Sequence, residues 1–375
     1  MMHYEIAGDP QSATLAAIVK GVPAGLHVHE DAVDVDVARW ARANGCTDET
    51  PSVAVLSGLK DGCTTGAPIL LALANGAYAE RMEGRFAPRG VACPGSAEAA
   101  GSQKYGIDDL SVIDARCDAR LDAMRVAASG IVREFLAELD VDILSCVTRI
   151  GHASLRSNPF DAPVPPSVLD IESSSCRCPS PQTTASMEIE IARAQVQGRT
   201  LPGEFRLGVF GLVPGLGELQ RSGAGLAGRL AAAAFSIGGV TGIEFGAESR
   251  ALQDGLAAHD TPVAAPGEGL ARAANKAGGI EGGLSTGMPL TARVSVAAGE
   301  RIGCNVASLD VAALQPAPYI PTSFSCCDIP AKAVVAESEA AFVLADAYLQ
   351  KFGGDSMDDI LDAVAAYRRR LAMAR

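Results

Sequence analysis

Few side chains in this sequence stand at spacings that do chemistry unaided. Of the five histidines, only His27 and His29 are paired, in "GLHVH". On a strand that spacing puts both rings on one face, but a zinc ion wants three or four ligands. The ten cysteines are scattered, and the close pairs Cys176/Cys178 and Cys326/Cys327 lack C-x-x-C spacing. No metal site is expected. What remains is cationic and polar. Arg39 and Arg42 sit one helical turn apart. Arg120 stands at a helix start, where a cation is unfavourable unless it meets an anion. Asn275, Lys276 and Arg301 lie beside a glycine-rich turn, as do Thr64 and Thr65 in an earlier one. Such groups can hold a carboxylate or phosphate. The competing reading makes Arg39 and Arg42 solvated helix residues and gives Thr64 and Thr65 a structural role.

These residues hang on a repeated element. The stretch "SGLKDGCTTGAPI" from Ser57 returns as "GGIEGGLSTGMPL" from Gly278, with Gly58/Gly279, Gly62/Gly283, Thr65/Thr286, Gly66/Gly287 and Pro68/Pro289 in register. Glycines at fixed positions supply the positive φ that tight turns need. The run "SVAVLS" before the first copy and "PILLALAN" after it read as strands. After the second copy, Leu290, Ala292, Val294 and Val296 alternate, which predicts a strand with one buried face. Helical periodicity marks residues 117–139, 224–237, 331–352 and 356–371, the last with Ser356 as N-cap. Residues 154–185 form the main irregular excursion. Length alone would allow two or three domains. No linker composition appears, so the prediction is one α+β domain over 1–375, in two pseudo-symmetric halves, roughly 1–150 and 200–375.

A net charge of −13 opposes binding to nucleic acid, which demands a basic surface. It also means that any anionic substrate must find a local basic pocket. "MMHYEIAGDPQ" shows no basic stretch followed by an apolar run, and "GRLAAAAFSIGG" is too short and alanine-rich to span a bilayer. A cytoplasmic protein is expected.

A series of landmarks runs from "GDPQSATLAAIVKGVPAGL" through "VLSGLKDGCTTGAPILLALAN", "PGSAEAAGSQKYGIDD", "RCPSPQTTASMEIEIARAQVQGRTLPG", "SIGGVTGIEFG" and "ANKAGGIEGGLSTGMPLTARV" to "PAKAVVAESEAAFVLADAYLQKFGGDSMDDI". In this order they resemble the chorismate synthase family. The resemblance implies a β-α-β sandwich with an internal pseudo-twofold repeat, assembled as a homotetramer. It implies a 1,4-anti elimination of phosphate from 5-enolpyruvylshikimate 3-phosphate, with reduced FMN and no net redox change. The two glycine turns would then be equivalent corners of related halves.

The sequence departs from the family where that chemistry would happen. The histidine of the G-E-S-H-G motif is Gln11. In R-P-G-H-A-D the arginine is Cys93, the histidine Ser96 and the aspartate Glu98. S-A-R-E-T becomes Asp118-Ala119-Arg120-Leu121-Asp122, keeping the substrate-binding arginine. The basic stretch after the early arginine cluster, to which Arg39 and Arg42 correspond, becomes "ANGCTDET". R-x-D-x-C leaves Ser323 and Ser325, and K-P-x-S-S becomes Ala297-Ala298-Gly299-Glu300-Arg301. Glutamine and serine do not titrate near neutrality, so Gln11, Ser96 and Ser325 stand at catalytic positions without the family's acid/base chemistry. The losses predict weak FMN binding or none, and a diverged carbon–oxygen lyase acting on a cyclohexene carboxylate of the shikimate pathway. The alternatives are a non-catalytic scaffold or metabolite-binding relative, and a working chorismate synthase with an atypical site.

Overall fold

The computed structural model describes residues 1–10, 12–45, 52–76, 87–162, 164–219, 223–247, 254–255, 258–265 and 269–373. Two antiparallel sheets enclose a layer of helices. The first sheet has the order β1 (His3–Ala7), β2 (Thr14–Lys20), β4 (Ile69–Ala74), β3 (Val53–Ser57). The second runs β7 (Val240–Phe245), β8 (Leu290–Val296), β6 (Gly203–Phe210), β5 (Asp142–Ile150), and ends on the short strand Ala153–Ser154. Between them lie α1 (Glu30–Ala43), α4 (Asp122–Ala137) and α7 (Ile329–Phe352).

Period-two patterning explains the layers. Leu15, Ala17 and Val19 of β2 and Ile69, Leu71 and Leu73 of β4 turn inward and are buried. Phe205, Leu207 and Val209 of β6 do the same in the second sheet, with the predicted Leu290, Ala292, Val294 and Val296 of β8. Helix α7 is apolar around most of its circumference and is buried along nearly its whole length, as a central helix must be. It ends at Gly353, and α8 (Met357–Met373) starts at Ser356, whose hydroxyl accepts from the Asp359 amide at 3.3 Å.

The sheets correspond strand for strand: β1 to β5, β2 to β6, β4 to β8 and β3 to β7, each pair neighbouring the same counterpart. The glycine turns occupy equivalent corners. Thr64 Oγ1 donates to Pro23 O (2.5 Å) and accepts from Leu26 N (3.0 Å). Ser285 Oγ donates to Val213 O (2.7 Å) and accepts from Leu216 N (2.8 Å). These contacts reveal a second repeat that the sequence reading passed over, "GVPAGL" (21–26) against "GLVPGL" (211–216). Gly21 and Gly211, the first residue of each, have φ of 79° and 81°.

The excursion after Ala153–Ser154 packs back on the second sheet. Phe160 and the short helix Val168–Glu172, through Ile171, pack on Leu144, Cys146 and Phe210, covering the outer face of the second sheet. It leads into α5 (Pro181–Val196). The remaining helices are α2 (Glu98–Tyr105), α3 (Leu110–Arg116) and α6 (Leu226–Phe235).

Candidate active site

Arg120 is the middle residue of the short 3-10 turn Ala119–Leu121 that leads into α4, and it is buried. Asp118 caps that turn, accepting from Arg120 N at 2.7 Å. The Arg120 side chain meets the residue that follows β4: its Nε donates to Asn75 Oδ1 at 2.9 Å. Its guanidinium carbon lies 5.9 Å from the centre of the Trp40 ring. Asn75 Nδ2 in turn donates to Pro10 O (2.7 Å) and Ser12 O (2.9 Å). Gln11 itself lies outside the described residues, but the carbonyls on either side of it are tied to the Arg120 partner.

A second group gathers the "CPGSAE" and "AAGER" segments. Ser96 Oγ donates to Cys93 O at 2.8 Å and accepts from Glu98 N at 3.3 Å, so it shapes the entry to α2. Gly95 lies against Glu300. Glu98 and Asp114 are buried and share Arg89, at 2.5 Å and 3.0 Å. Arg301, expected at the cofactor, reaches Asp114 and comes within 3.6 Å of Glu98. Burial pushes the neighbouring Cys93 thiol up, away from thiolate chemistry. Ser325 is exposed, and its hydroxyl donates to Cys327 O at 3.3 Å.

Arg39 is neither solvated nor available to a ligand. It is buried, and its three nitrogens bind Asp36 (2.8 Å), Glu172 (2.9 Å) and Glu337 (2.9 Å). Arg133 and Arg177 also converge on Glu337, at 3.1 Å and 2.9 Å. Burial alone would raise the Glu337 carboxyl; the three guanidiniums overcome it and hold the group at about 2. The solvated reading of Arg39 fails because a guanidinium on the inner side of α1 faces this carboxylate. Arg42 does point outward, 57% exposed and 3.6 Å from Glu172. The rest of the acidic stretch after it, from residue 46 to 50, lies outside the described residues.

Asn275 serves the second glycine turn: Nδ2 donates to Pro289 O and Oδ1 accepts from Gly279 N, both at 2.8 Å. The Lys276 amide donates to Asp260 at 2.8 Å. Of the three residues expected at FMN, Asn275 thus spends its amide on backbone and Arg301 its charge on carboxylates. As a set they do not fit a flavin phosphate, which needs uncommitted cations and donors. The rings of His27 and His29 lie 4.6 Å apart between centres and are tilted by 46°, and His29 Nδ1 meets Glu134 at 3.2 Å. Among the described residues, no group of three or more His, Cys, Asp or Glu could hold a metal ion.

Another polar cluster lies where α4 and α7 meet β1. Tyr4 Oη donates to Glu339 at 2.5 Å, and Arg125 lies 3.4 Å from Glu339 and 3.5 Å from Asp122. Burial pushes Asp122 up to about 6, with Arg125 opposing and Glu339 adding to the rise. Asp122 occupies the last position of the altered S-A-R-E-T motif and can change protonation close to neutrality. Sequence reading missed this carboxyl and Asn75. The one signal for Asn75 was a polar residue closing an apolar strand just before a glycine.

The family model of chorismate synthase matches residues 2–349. The chain belongs to the chorismate synthase family. Chorismate synthase from Desulforudis audaxviator (strain MP104C) is 37% identical over 395 residues, covering 100% of this chain and 99% of the relative. The protein of that name from Thermobifida fusca (strain YX) is 35% identical, covering 98% of each chain. A crystal structure of chorismate synthase superposes with a TM-score of 0.81 at 28% identity, covering 99% of this chain and 98% of the other. The expected fold class therefore holds: α+β, a chorismate synthase-type sandwich. Substituted motifs had pointed to a diverged lyase, yet these chorismate synthase relatives carry the ordinary name. Among the described residues, no helix is long and apolar enough to cross a membrane.

Proposed function

We propose that the protein performs the ordinary family reaction, eliminating phosphate from 5-enolpyruvylshikimate 3-phosphate to give chorismate. The observation that carries this reading is end-to-end likeness, at 37% identity and full coverage, to a relative of that name. The elimination passes a ring proton to a base, releases inorganic phosphate with the electrons of the broken C–O bond, and leaves a new carbon–carbon double bond. In this reading Arg120 faces a substrate anion and Arg42 stands at the rim. Gln11, Ser96 and Ser325 orient substrate and water without exchanging protons. The family works with reduced FMN. Because Asn275 and Arg301 are engaged elsewhere, no step is assigned to a flavin held by them.

Assembly as a homotetramer and a cytoplasmic location belong to the same proposal. Support for assembly comes from the outer face of the first sheet, which carries half-buried Ile18, Leu70 and Ala72 and exposed Leu56.

A specific observation favours a second reading, a diverged lyase or a binding protein of the same fold. Arg39 and Arg301, counted from sequence among the anion binders, are locked to carboxylates. An anaerobic assay with chemically reduced FMN, following phosphate release and chorismate absorbance, separates the two. Turnover together with growth rescue of a synthase-deficient strain is the expected result. Silence at saturating flavin would sink the first reading, and a flavin titration by fluorescence would show whether the cofactor site is the part that was lost.

A further inference from the structure

We infer that Asn75 is a positioning residue of the active site, one side chain that fixes both the backbone at Pro10 and Ser12 and the plane of the Arg120 guanidinium. The inference rests on the proposed role of Arg120 toward a substrate anion. Asn75 follows directly on β4 and is 1% exposed. Its backbone amide donates to Ala13 O at 2.8 Å. Its side-chain amide donates to Pro10 O (2.7 Å) and Ser12 O (2.9 Å) and accepts from Arg120 Nε (2.9 Å). The partners dictate its orientation. Carbonyl oxygens only accept and a guanidinium only donates, so the NH₂ must face the turn and the oxygen must face Arg120.

No other residue type of this size meets both demands. Aspartate would keep the Arg120 contact but set a second acceptor against two carbonyls. Leucine would satisfy neither side. The guanidinium is planar, so pinning Nε fixes the direction of its remaining donors, and the Trp40 ring lies 5.9 Å from its carbon. A residue that only closed a strand would need the backbone bond to Ala13 and nothing more.

The test uses the full chain and the variants Asn75→Asp and Asn75→Ala, with thermal unfolding recorded for each. In Asn75→Asp the added negative charge beside Arg120 should raise KM for the phosphorylated substrate about tenfold, while kcat stays within about threefold. In ¹⁵N-arginine spectra the Arg120 Nε–H resonance, assigned by its loss in Arg120→Lys, should move in Asn75→Ala. If that variant does not fold, Asn75→Asp carries the spectroscopic arm, because a carboxylate acceptor also displaces the signal. Variants that melt lower yet keep the wild-type KM and an unmoved resonance would overturn the inference. If the unmodified protein has no turnover, the proposed activity fails by itself, and the resonance alone decides whether Asn75 positions Arg120.

Discussion

The two glycine corners are built alike and used differently. In each, a hydroxyl donates to one carbonyl and accepts from an amide three residues further on, whether it belongs to Thr64 or to Ser285. The backbone bonds match as well: Gly25 N to Thr64 O at 2.9 Å, Gly215 N to Ser285 O at 2.7 Å. The corners part at the next contact, with α8 and its lead-in. Ala24 uses its backbone, donating to Asp355 O and accepting from Met357 N, both at 2.9 Å. The equivalent residue is Pro214, which has no N–H, and its carbonyl takes the Tyr367 hydroxyl at 2.9 Å instead. Duplication preserved what closes each corner, and divergence acted on what each corner touches.

The largest expected effect breaks the equality. A Cβ on Gly211 would lie 1.8 Å from Asp140 O, a carbonyl fixed between α4 and β5. On Gly21 it would lie 2.6 Å from Met1 O, a milder overlap. Gly211→Ala should therefore cost about 4 kcal/mol or prevent folding, and Gly21→Ala about 1–2 kcal/mol, both read by chemical denaturation. Equal losses would mean that the two corners are held equally rigidly after all.

The next test sharpens the likeness. Thr64→Ala and Ser285→Ala each strand a buried amide and a carbonyl. Each should cost about 1–3 kcal/mol, and the two values should agree within about 1 kcal/mol. A neutral result at either site would show that the matched geometry is not matched in energy.

The smallest effect comes from the helical layer, where a carboxyl of α7 and one of α4 are compensated differently. Toward the second sheet, Glu337 is over-compensated by three arginines and sits at about 2. Its contribution to stability is present above the ordinary carboxyl range and is lost as pH falls toward that value. Toward the first sheet, Asp122 is under-compensated and sits at about 6. Its share of stability is complete below its ordinary value and is lost as pH rises through about 6. Asp122→Asn should stabilise the protein at pH 7 by on the order of 1 kcal/mol and flatten the melting profile between about pH 4 and 6. An unchanged profile would place the titration elsewhere.

Sequence carried the architecture because its determinants are local or repeated. Alternation in β8, glycines at fixed turn positions and Ser356 ahead of α8 can each be read within a few residues. The site was harder for a physical reason: its charges are neutralised from far away. Arg39 meets Glu172 and Glu337 across 133 and 298 residues, separations at which no pattern in one sequence pairs them. A surface arginine and a buried one look the same until the fold brings a carboxylate. Asn75 was hidden in the same way, since its partners at residues 10, 12 and 120 share no spacing with it.

The placement of β5 also bears on how the chain is born. As synthesis proceeds, the first sheet, α1 and α4 can assemble early, but β5 has only the two-residue strand Ala153–Ser154 to pair with until β6 emerges, and β6 has nothing on its other edge until β8 does. The central helix α7 that both sheets enclose comes later still. Until then two apolar sheet faces wait for a filling, so folding should be slow, dominated by distant contacts, and exposed to aggregation of unfinished chains.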